Sequence, residues 1–315
     1  MDKILNIALC TDENFVVPAL VCITSIFENN KDYNCQIHVL TGGVSQKSRD
    51  KFSKLGEIYD QKINIIQIDD SRFDGLIYSS HRYPRSMYYR FLLPEMLPDV
   101  NTILYLDCDI MVRKGLNELF DVDISNKALG CVVSQSCDNI LWATSLIIQS
   151  PYFNSGVLLM NLDYWRHENL FRVLVKWIED NSDKCMLPDQ NALNKILEGK
   201  VVYLDYGYNF QERWTRSLEG SYVAVNKWAG IVKAGKNPTI VHFCENEKPW
   251  FEECVNPFKE EYYYYAQLHD FVGFHVQKRY GKEYMLAVFL DRIGLKIRYW
   301  AERWQKHALA KIKVS

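Results

Sequence analysis

Ile103-Leu104-Tyr105-Leu106-Asp107-Cys108-Asp109-Ile110-Met111-Val112 is the stretch from which the fold is read. A short apolar run ends on two carboxylates two residues apart, and apolar residues resume directly after them. Such a run reads as a buried strand whose C-terminal end carries Asp107. Alternate residues of an extended chain point the same way, so both carboxylates can face one hard cation. Two like charges held that close are costly unless a metal or a shared proton compensates. The plainer alternative is a strand-end Asp pair that caps the next element.

Outward from this stretch, apolar runs alternate with helical patterns. Residues 4–9, 35–40 and 63–68 read as strands, with 103–106 as a fourth. Between them, 17–27 is apolar at helical spacing and 46–58 is a polar helix. Strands alternating with helices predict an α/β fold: a Rossmann-like, mostly parallel or mixed sheet with helices on both faces. Ligands of open sheets bind beyond the carboxyl ends of the strands, which is where Thr11-Asp12-Glu13-Asn14 and Asp107 both fall. Further on, 129–133, 156–160, 201–204 and 239–243 are strand-like. Residues 162–179 read as one amphipathic helix. Pro188 opens another through 197, its missing N–H costing nothing at a helix entry. Residues 205–237 lack clear periodicity and are expected to be an irregular region on the substrate side.

Four more clusters carry chemistry. In Val241-His242-Phe243-Cys244-Glu245-Asn246-Glu247-Lys248-Pro249-Trp250, a His directly follows an apolar strand. Imidazole with two carboxylates suits Mn2+ or a similar cation with sites left open for phosphate oxygens. Lys248 is a point charge suited to a phosphate. A structural histidine is the plain alternative for His242. In Tyr152-Phe153-Asn154-Ser155-Gly156, a polar residue and a Gly before a strand suggest close approach of backbone to ligand; an ordinary turn is the alternative. Asp189 in Leu187-Pro188-Asp189-Gln190 could be only a helix cap. Arg90, in the apolar helix around Met87-Tyr88-Tyr89-Arg90-Phe91, would normally snorkel to solvent, or else hold a phosphate or carboxylate.

Taken in this order, these clusters resemble glycosyltransferase family 8, which includes bacterial lipopolysaccharide galactosyl- and glucosyltransferases and the glycogenins. The co-occurrence of LYLDCDIMV, YFNSGVLLMN, PDQNALN and HFCENEKPW carries the resemblance, over about four-fifths of the chain. It implies a GT-A fold, a UDP-hexose donor, Mn2+ with Mg2+ as the alternative, and transfer with retention at the anomeric carbon. By the same resemblance Asp107, Asp109 and His242 match metal ligands, and Asp12, Asn14 and Phe15 match a uridine loop. Arg90, Asn154, Asp189 and Gln190 match residues around the donor sugar, and Lys248 matches a diphosphate contact. Gln190, a poor nucleophile, is assigned to stabilise the sugar cation, with Asp189 accepting from a sugar hydroxyl. The chain departs from the pattern at Glu245, where the family has Gly, and at Val133-Ser134-Gln135, where some relatives have an acceptor-side Asp. His81 and Arg82 both compete for one sugar-side position. A haloacid-dehalogenase phosphatase shares the Asp-x-Asp, but Met111 stands where that class has Thr or Val. A self-glucosylating, glycogenin-like enzyme, with Tyr262–Tyr265 as a tempting but helical acceptor run, and a non-catalytic carbohydrate-binding relative are the other readings.

Composition narrows the setting. Of 315 residues 48% are apolar and 24% charged, which supplies a full core and excludes a disordered chain. No apolar stretch approaches the roughly 18 residues that cross a bilayer. The start, Met1-Asp2-Lys3-Ile4-Leu5-Asn6, has no secretory pattern. The net charge of −2 is uneven: residues 278–315 carry +7 and the rest −9. A globally basic nucleic-acid binder is therefore excluded. Nine cysteines without a CxxC pair disfavour a disulfide framework and a thiolate zinc site, and most read as buried thiols. In the tail, Ile293, Ile297, Trp300, Trp304, Ala308 and Ile312 form one apolar helix face amid Lys and Arg. This predicts attachment of residues 282–315 to an anionic membrane surface, with docking on the protein's own core as the alternative. The expected organisation is a catalytic domain at 1–255 and a helical basic region at 256–315. The expected location is cytoplasmic, peripheral on the inner face of the cytoplasmic membrane, beside a glycan or lipid-linked acceptor.

Overall fold

The computed structural model describes residues 4–76, 84–135, 147–181, 187–215, 224–246 and 248–278. The apolar runs become strands: β1 Ile4–Cys10, β2 Asn34–Thr41, β3 Lys62–Gln67, β4 Thr102–Leu106, β6 Leu129–Val133, β7 Phe153–Asn161, β8 Val201–Tyr203 and β10 Ile240–His242. Two short strands, β5 Ile110–Val112 and β9 Phe210–Gln211, join them. Among the described residues the main sheet has the order β3-β2-β1-β4-β7-β6-β8. Strands β1 to β4 run parallel, and β7 is antiparallel to both neighbours. A second sheet, β5-β10-β9, pairs β5 antiparallel and β9 parallel to β10. The α/β class read from the sequence is the one observed.

The helices are α1 Val16–Asn29, α2 Gln46–Tyr59, α3 Leu93–Met96, α4 Leu162–His167, α5 Leu170–Asp180, α6 Pro188–Ile196, α7 Val225–Gly235 and α8 Lys259–Gln267. Helix α1 is buried over nearly its whole length. Its few polar side chains serve the second sheet and α8. Ser25 Oγ accepts from Val112 N (3.0 Å), and Asn29 Nδ2 donates to Val112 O (3.1 Å) and to Tyr265 Oη (2.9 Å). Within the tyrosine run of α8, Tyr262 and Tyr265 are buried. That helical, partly buried setting is the one the sequence suggests for the run.

Three sequence expectations are corrected. The single helix expected at 162–179 is two, α4 and α5, broken where Asn169 adopts a left-handed φ of 51°. Asn tolerates that conformation, and the apolar period runs on through the break, so periodicity alone hides it. Residues 87–91, expected in an apolar helix, lie in a 3-10 helix, Arg85–Leu92, led in by Pro84. The region 205–237, expected to be irregular, contains β9 and the regular helix α7.

The chain divides into two compact units: 1–246 with 256–274, and 247–255 with 275–315. In the second, Gln277 N donates to Trp250 O and Glu252 N to Gln277 O, both at 2.8 Å. The basic tail at 282–315 lies outside the described residues. Among those described, no helix is long and apolar enough to cross a membrane.

One buried histidine makes the main sheet acid-sensitive. His38 on β2 is 4% exposed, between Asn6 Oδ1 at 3.3 Å and Asn64 Nδ2 at 3.5 Å. Burial, helped by Lys62, pushes its pKa down to about 4. Unfolded, a His titrates near 6.5. Above that pH both states are neutral; below it the unfolded chain gains a proton that folded His38 resists until about pH 4. Stability should therefore fall with pH across this window, by roughly 3 kcal/mol in all. Urea melts of His38→Gln at pH 7, 5.5 and 4 should show a correspondingly shallower loss. An unchanged pH slope would clear His38 of this role.

Candidate active site

The β4 strand ends at Leu106, and its antiparallel pairing with β7 persists one residue further, Asp107 N donating to Gly156 O (2.9 Å). The chain then turns. Cys108 faces away, its Sγ donating to Cys10 O (3.3 Å). Past the turn β5 pairs with β10, setting Ile110 opposite His242, and Phe243 N donates to Asp109 O (3.0 Å). Asp109 is thus delivered to His242 by a second sheet, not by alternation along one extended strand as the sequence suggested. His242 Nε2 lies 3.2 Å from Asp109 Oδ1 and 3.8 Å from Asp107 Oδ2. One ligand atom from each of the three lies within 4.8 Å of the others.

The set fits a divalent cation by its chemistry. Two carboxylates and an imidazole are donors for Mn2+ or Mg2+, and no thiolate intrudes. Asp107 presents one oxygen only: Oδ1 accepts from Tyr105 Oη (2.6 Å) and Arg90 Nη2 (3.1 Å), leaving Oδ2 on the His242 side. His242 is 2% exposed, and its Nδ1 lies 3.0 Å from Asn209 Oδ1. Since an amide oxygen only accepts, Nδ1 is the ring nitrogen that donates to it, which leaves Nε2 as the ring atom facing Asp109 and available to a cation. Gly156 is required beside them. A Cβ there would lie 2.3 Å from His242 Cε1 and 2.7 Å from Asp107 Oδ2. The sequence suggested close approach of this glycine to a ligand; the close approach the structure shows is to the side chains of His242 and Asp107.

Arg90 does not snorkel. Its 3-10 segment turns the guanidinium inward, where it is 3% exposed. Nε donates to Met87 O (2.9 Å), Nη1 to Ser155 O (2.6 Å) and Nη2 to Asp107; Nη2 also stands 3.6 Å from Asp189 Oδ2. The cation lies 4.1 Å over the Tyr105 ring. Of the alternatives open from the sequence, the carboxylate-holding one is realised, twice over. Asp189 is likewise no helix cap: the cap position of α6 is Leu187, and the Asp189 carboxylate is buried against Arg90 and Ser155 Oγ (3.3 Å). Burial raises its pKa above the usual carboxylate range, with Arg90 opposing.

Beside them, Gln190 Oε1 accepts from Ser155 N (3.0 Å) and Asn154 Nδ2 (3.3 Å), and its Nε2 donates to Tyr152 Oη (3.1 Å). In the loop after β1, Asp12 Oδ1 accepts from Asn14 N (2.9 Å) and Phe15 N (3.2 Å), which fixes the Glu13–Phe15 turn. Asn14 is exposed and Phe15 half-buried. Lys248 falls in the second compact unit, where its carbonyl accepts from Phe251 N (2.9 Å). His81 and Arg82 lie outside the described residues.

The two departures from the family pattern meet. Glu245 Oε1 accepts from Gln135 Nε2 at 2.6 Å, while Gln135 N donates to Gln211 Oε1 at 2.7 Å. The Glu245 charge is thereby engaged by the end of β6. Sequence reading missed Tyr105, Ser155, Asn209 and Glu13. Tyr105 had a signal, since it precedes Asp107 by two residues. Asn209 had none, sitting in the segment without periodicity. Glu13 accepts from Ser45 N and Ser45 Oγ (2.8 Å each) and Ser48 Oγ (2.7 Å), tying the β1 loop to the start of α2.

Comparison with known proteins places this geometry. The profile of the family described as "Glycosyl transferase family 8" matches residues 6–254. General stress protein A of Bacillus subtilis is 26% identical over 277 residues, 84% of this chain and 93% of that protein. Lipopolysaccharide 1,3-galactosyltransferase of Salmonella typhimurium is 27% identical over 255 residues, covering 78% of this chain and 72% of the relative. The solved structure of galactosyltransferase LgtC with donor and acceptor sugar analogs superposes with a TM-score of 0.76 at 26% identity, over 83% of this chain and 95% of that one. The GT-A architecture expected from the sequence is thus the one found.

The Gly156 contact is directly testable. In Gly156→Ala the added methyl meets a histidine that Asn209 holds in place, so overpacking should cost about 1–3 kcal/mol. Thermal melts should show that loss, and Mn2+ titration followed by electron paramagnetic resonance should show affinity reduced at least tenfold. Wild-type Mn2+ affinity in this variant would mean the cation does not sit at these ligands.

Proposed function

The chain belongs to glycosyltransferase family 8, whose profile spans residues 6–254, and from that membership we propose a retaining hexosyltransferase. It moves galactose or glucose from a UDP-sugar to a glycan or lipid-linked acceptor such as a lipopolysaccharide core. The observation that carries this reading is the convergence of Asp107, Asp109 and His242 beside Arg90, Asp189 and Gln190 at the carboxyl end of the sheet.

In this reading Asp107, Asp109 and His242 hold Mn2+ or Mg2+. Bound there, such a cation would supply positive charge to offset that of the diphosphate leaving group. Asp12, Asn14 and Phe15 take the uridine: Phe15 stacks on the base, and Asp12 accepts from its N–H through the oxygen not spent on the turn. Lys248 contacts the diphosphate. Asp189 and Asn154 bind hydroxyls of the donor sugar, and Arg90 holds Asp107 and Asp189 in place. Gln190 lends its amide oxygen to the positive charge that develops on the sugar. A double displacement needs a carboxylate nucleophile near the anomeric carbon. Asp189 Oδ2 is held by Arg90 and Ser155, its carboxylate is given in this reading to a sugar hydroxyl, and the Gln190 amide is a poor nucleophile. This supports attack on the same face as departure, with the leaving phosphate taking the acceptor proton.

Activity should require a divalent cation. Asp107→Ala, Asp109→Ala and His242→Ala should each abolish Mn2+-dependent UDP release across a panel of UDP-sugars, while circular dichroism shows a folded chain. Full transfer in excess chelator would overturn the assignment.

Residues 282–315 supply peripheral membrane attachment in the same proposal, resting on the basic and Trp-bearing sequence pattern alone. Each basic residue near an anionic surface contributes about 1 kcal/mol. Replacing Arg303, Lys306, Lys311 and Lys313 by Gln in the full chain should abolish co-sedimentation with anionic vesicles at low salt and leave UDP release intact. Binding that ignores both the substitutions and added salt would sink the electrostatic anchor.

A further inference from the structure

Asn209 joins the cation ligands to the donor-sugar wall and belongs to neither. It is fully buried, directly ahead of β9. Its Oδ1 lies 3.0 Å from His242 Nδ1, and its Nδ2 donates to Asn154 Oδ1 at 2.9 Å. Asn154 Nδ2 donates onward to Gln190 Oε1 (3.3 Å), Gln190 Nε2 to Tyr152 Oη (3.1 Å), and Tyr152 Oη to Asn191 Oδ1 (2.5 Å). Five donors therefore point one way along a single chain from His242 to α6.

Backbone amides fix that direction. Gly156 N–H donates to Asn154 Oδ1 (3.0 Å) and Ser155 N–H to Gln190 Oε1 (3.0 Å). A main-chain N–H cannot become an acceptor, so neither amide can turn over without orphaning a donor. With Asn154 Oδ1 facing Asn209, the Asn209 amide must present its oxygen to His242. His242 Nδ1 then donates to Asn209 Oδ1, and Nε2 is the ring atom turned to the two carboxylates. An outer hydrogen-bond partner of this kind sets tautomer and ring orientation of a metal-binding histidine.

We propose that Asn209 is a positioning residue that couples the two halves of the site. Through His242 it presets Nε2 as a cation ligand, and through Asn154, whose Nδ2 donates to Gln190 Oε1, it helps hold in place the amide that Ser155 N–H orients. The inference rests on the reading of Asp107, Asp109 and His242 as the cation site.

Two substitutions separate the halves. Asn209→Ala removes both links. Asn209→Asp keeps an acceptor for His242 Nδ1–H but sets a second oxygen against Asn154 Oδ1, so the link to Gln190 is broken. The probe is Mn2+ alone, its free fraction read by electron paramagnetic resonance on the full chain, alongside steady-state kinetics at saturating Mn2+. Asn209→Ala should bind Mn2+ about 10–100-fold more weakly. Asn209→Asp should bind within about threefold of wild type, yet keep a kcat reduced at least about tenfold, the scale on which outer-shell partners act. Should the alanine variant fail to fold, the split in the aspartate variant decides alone. Wild-type Mn2+ affinity in Asn209→Ala, or wild-type kcat in Asn209→Asp, overturns the coupling. A wild-type chain that binds no Mn2+ overturns the cation reading itself, and is told apart because Asn209→Ala then changes nothing in that measurement.

Discussion

A single buried guanidinium organises the ligand-binding end of the sheet. Arg90 reaches from the 3-10 helix to the backbone of β7, to Asp107 at the end of β4 and to Asp189 at the start of α6. Asp189 is buried beside Arg90, whose charge opposes the upward push of burial on its pKa, and Asp107 accepts from the same guanidinium. Removing one partner of such a buried pair costs about 3–5 kcal/mol, because the other is left uncompensated. The 3-10 helix matters for the same reason. Its tighter winding lets Arg90 Nε reach the carbonyl of Met87, three residues back, while the side chain turns inward. Of the residues proposed to touch the donor sugar, Asp189 is placed directly against this charge.

Polarity, once fixed at that charge, propagates through neutral groups. Arg90 and Tyr105 occupy one oxygen of Asp107, which leaves the other for a cation. Backbone N–H groups of Ser155 and Gly156 orient the side chains of Gln190 and Asn154. Gly156 permits this only because it has no Cβ, the His242 ring lying where one would go. A preorganised site of this kind is what stabilisation of developing charge requires, since its dipoles are paid for during folding and not during reaction. The Glu245–Gln135 pair shows the same economy, holding a carboxylate on a side-chain amide from the turn after β6.

The elements were largely legible in the chain. Apolar runs of four to eight residues became β1, β2, β3, β4, β6, β7, β8 and β10 within a residue or three of their expected ends. The losses have physical causes. Asn169 breaks a helix without breaking its apolar period. Helix α7 buries little but Ile231, so its pattern is weak. Strands β5 and β9 are three and two residues long and exist only because β10 lies between them. The triad was readable because carboxylates and imidazole directly after apolar strands are costly without a purpose.

The sequence by itself determined the α/β class, the strands that end at Asp12 and Asp107, and the residue types able to hold a cation and a diphosphate sugar. Those are properties of composition and local period, and burial of apolar runs enforces them in any packing. Only the tertiary structure decided that Asp109 meets His242 through β5–β10 pairing, that Arg90 turns inward, and that Asn209 closes the path between ligand and amide. These contacts join residues far apart in the chain. Their directions are set by which backbone N–H groups the fold leaves unpaired, and no local pattern records that.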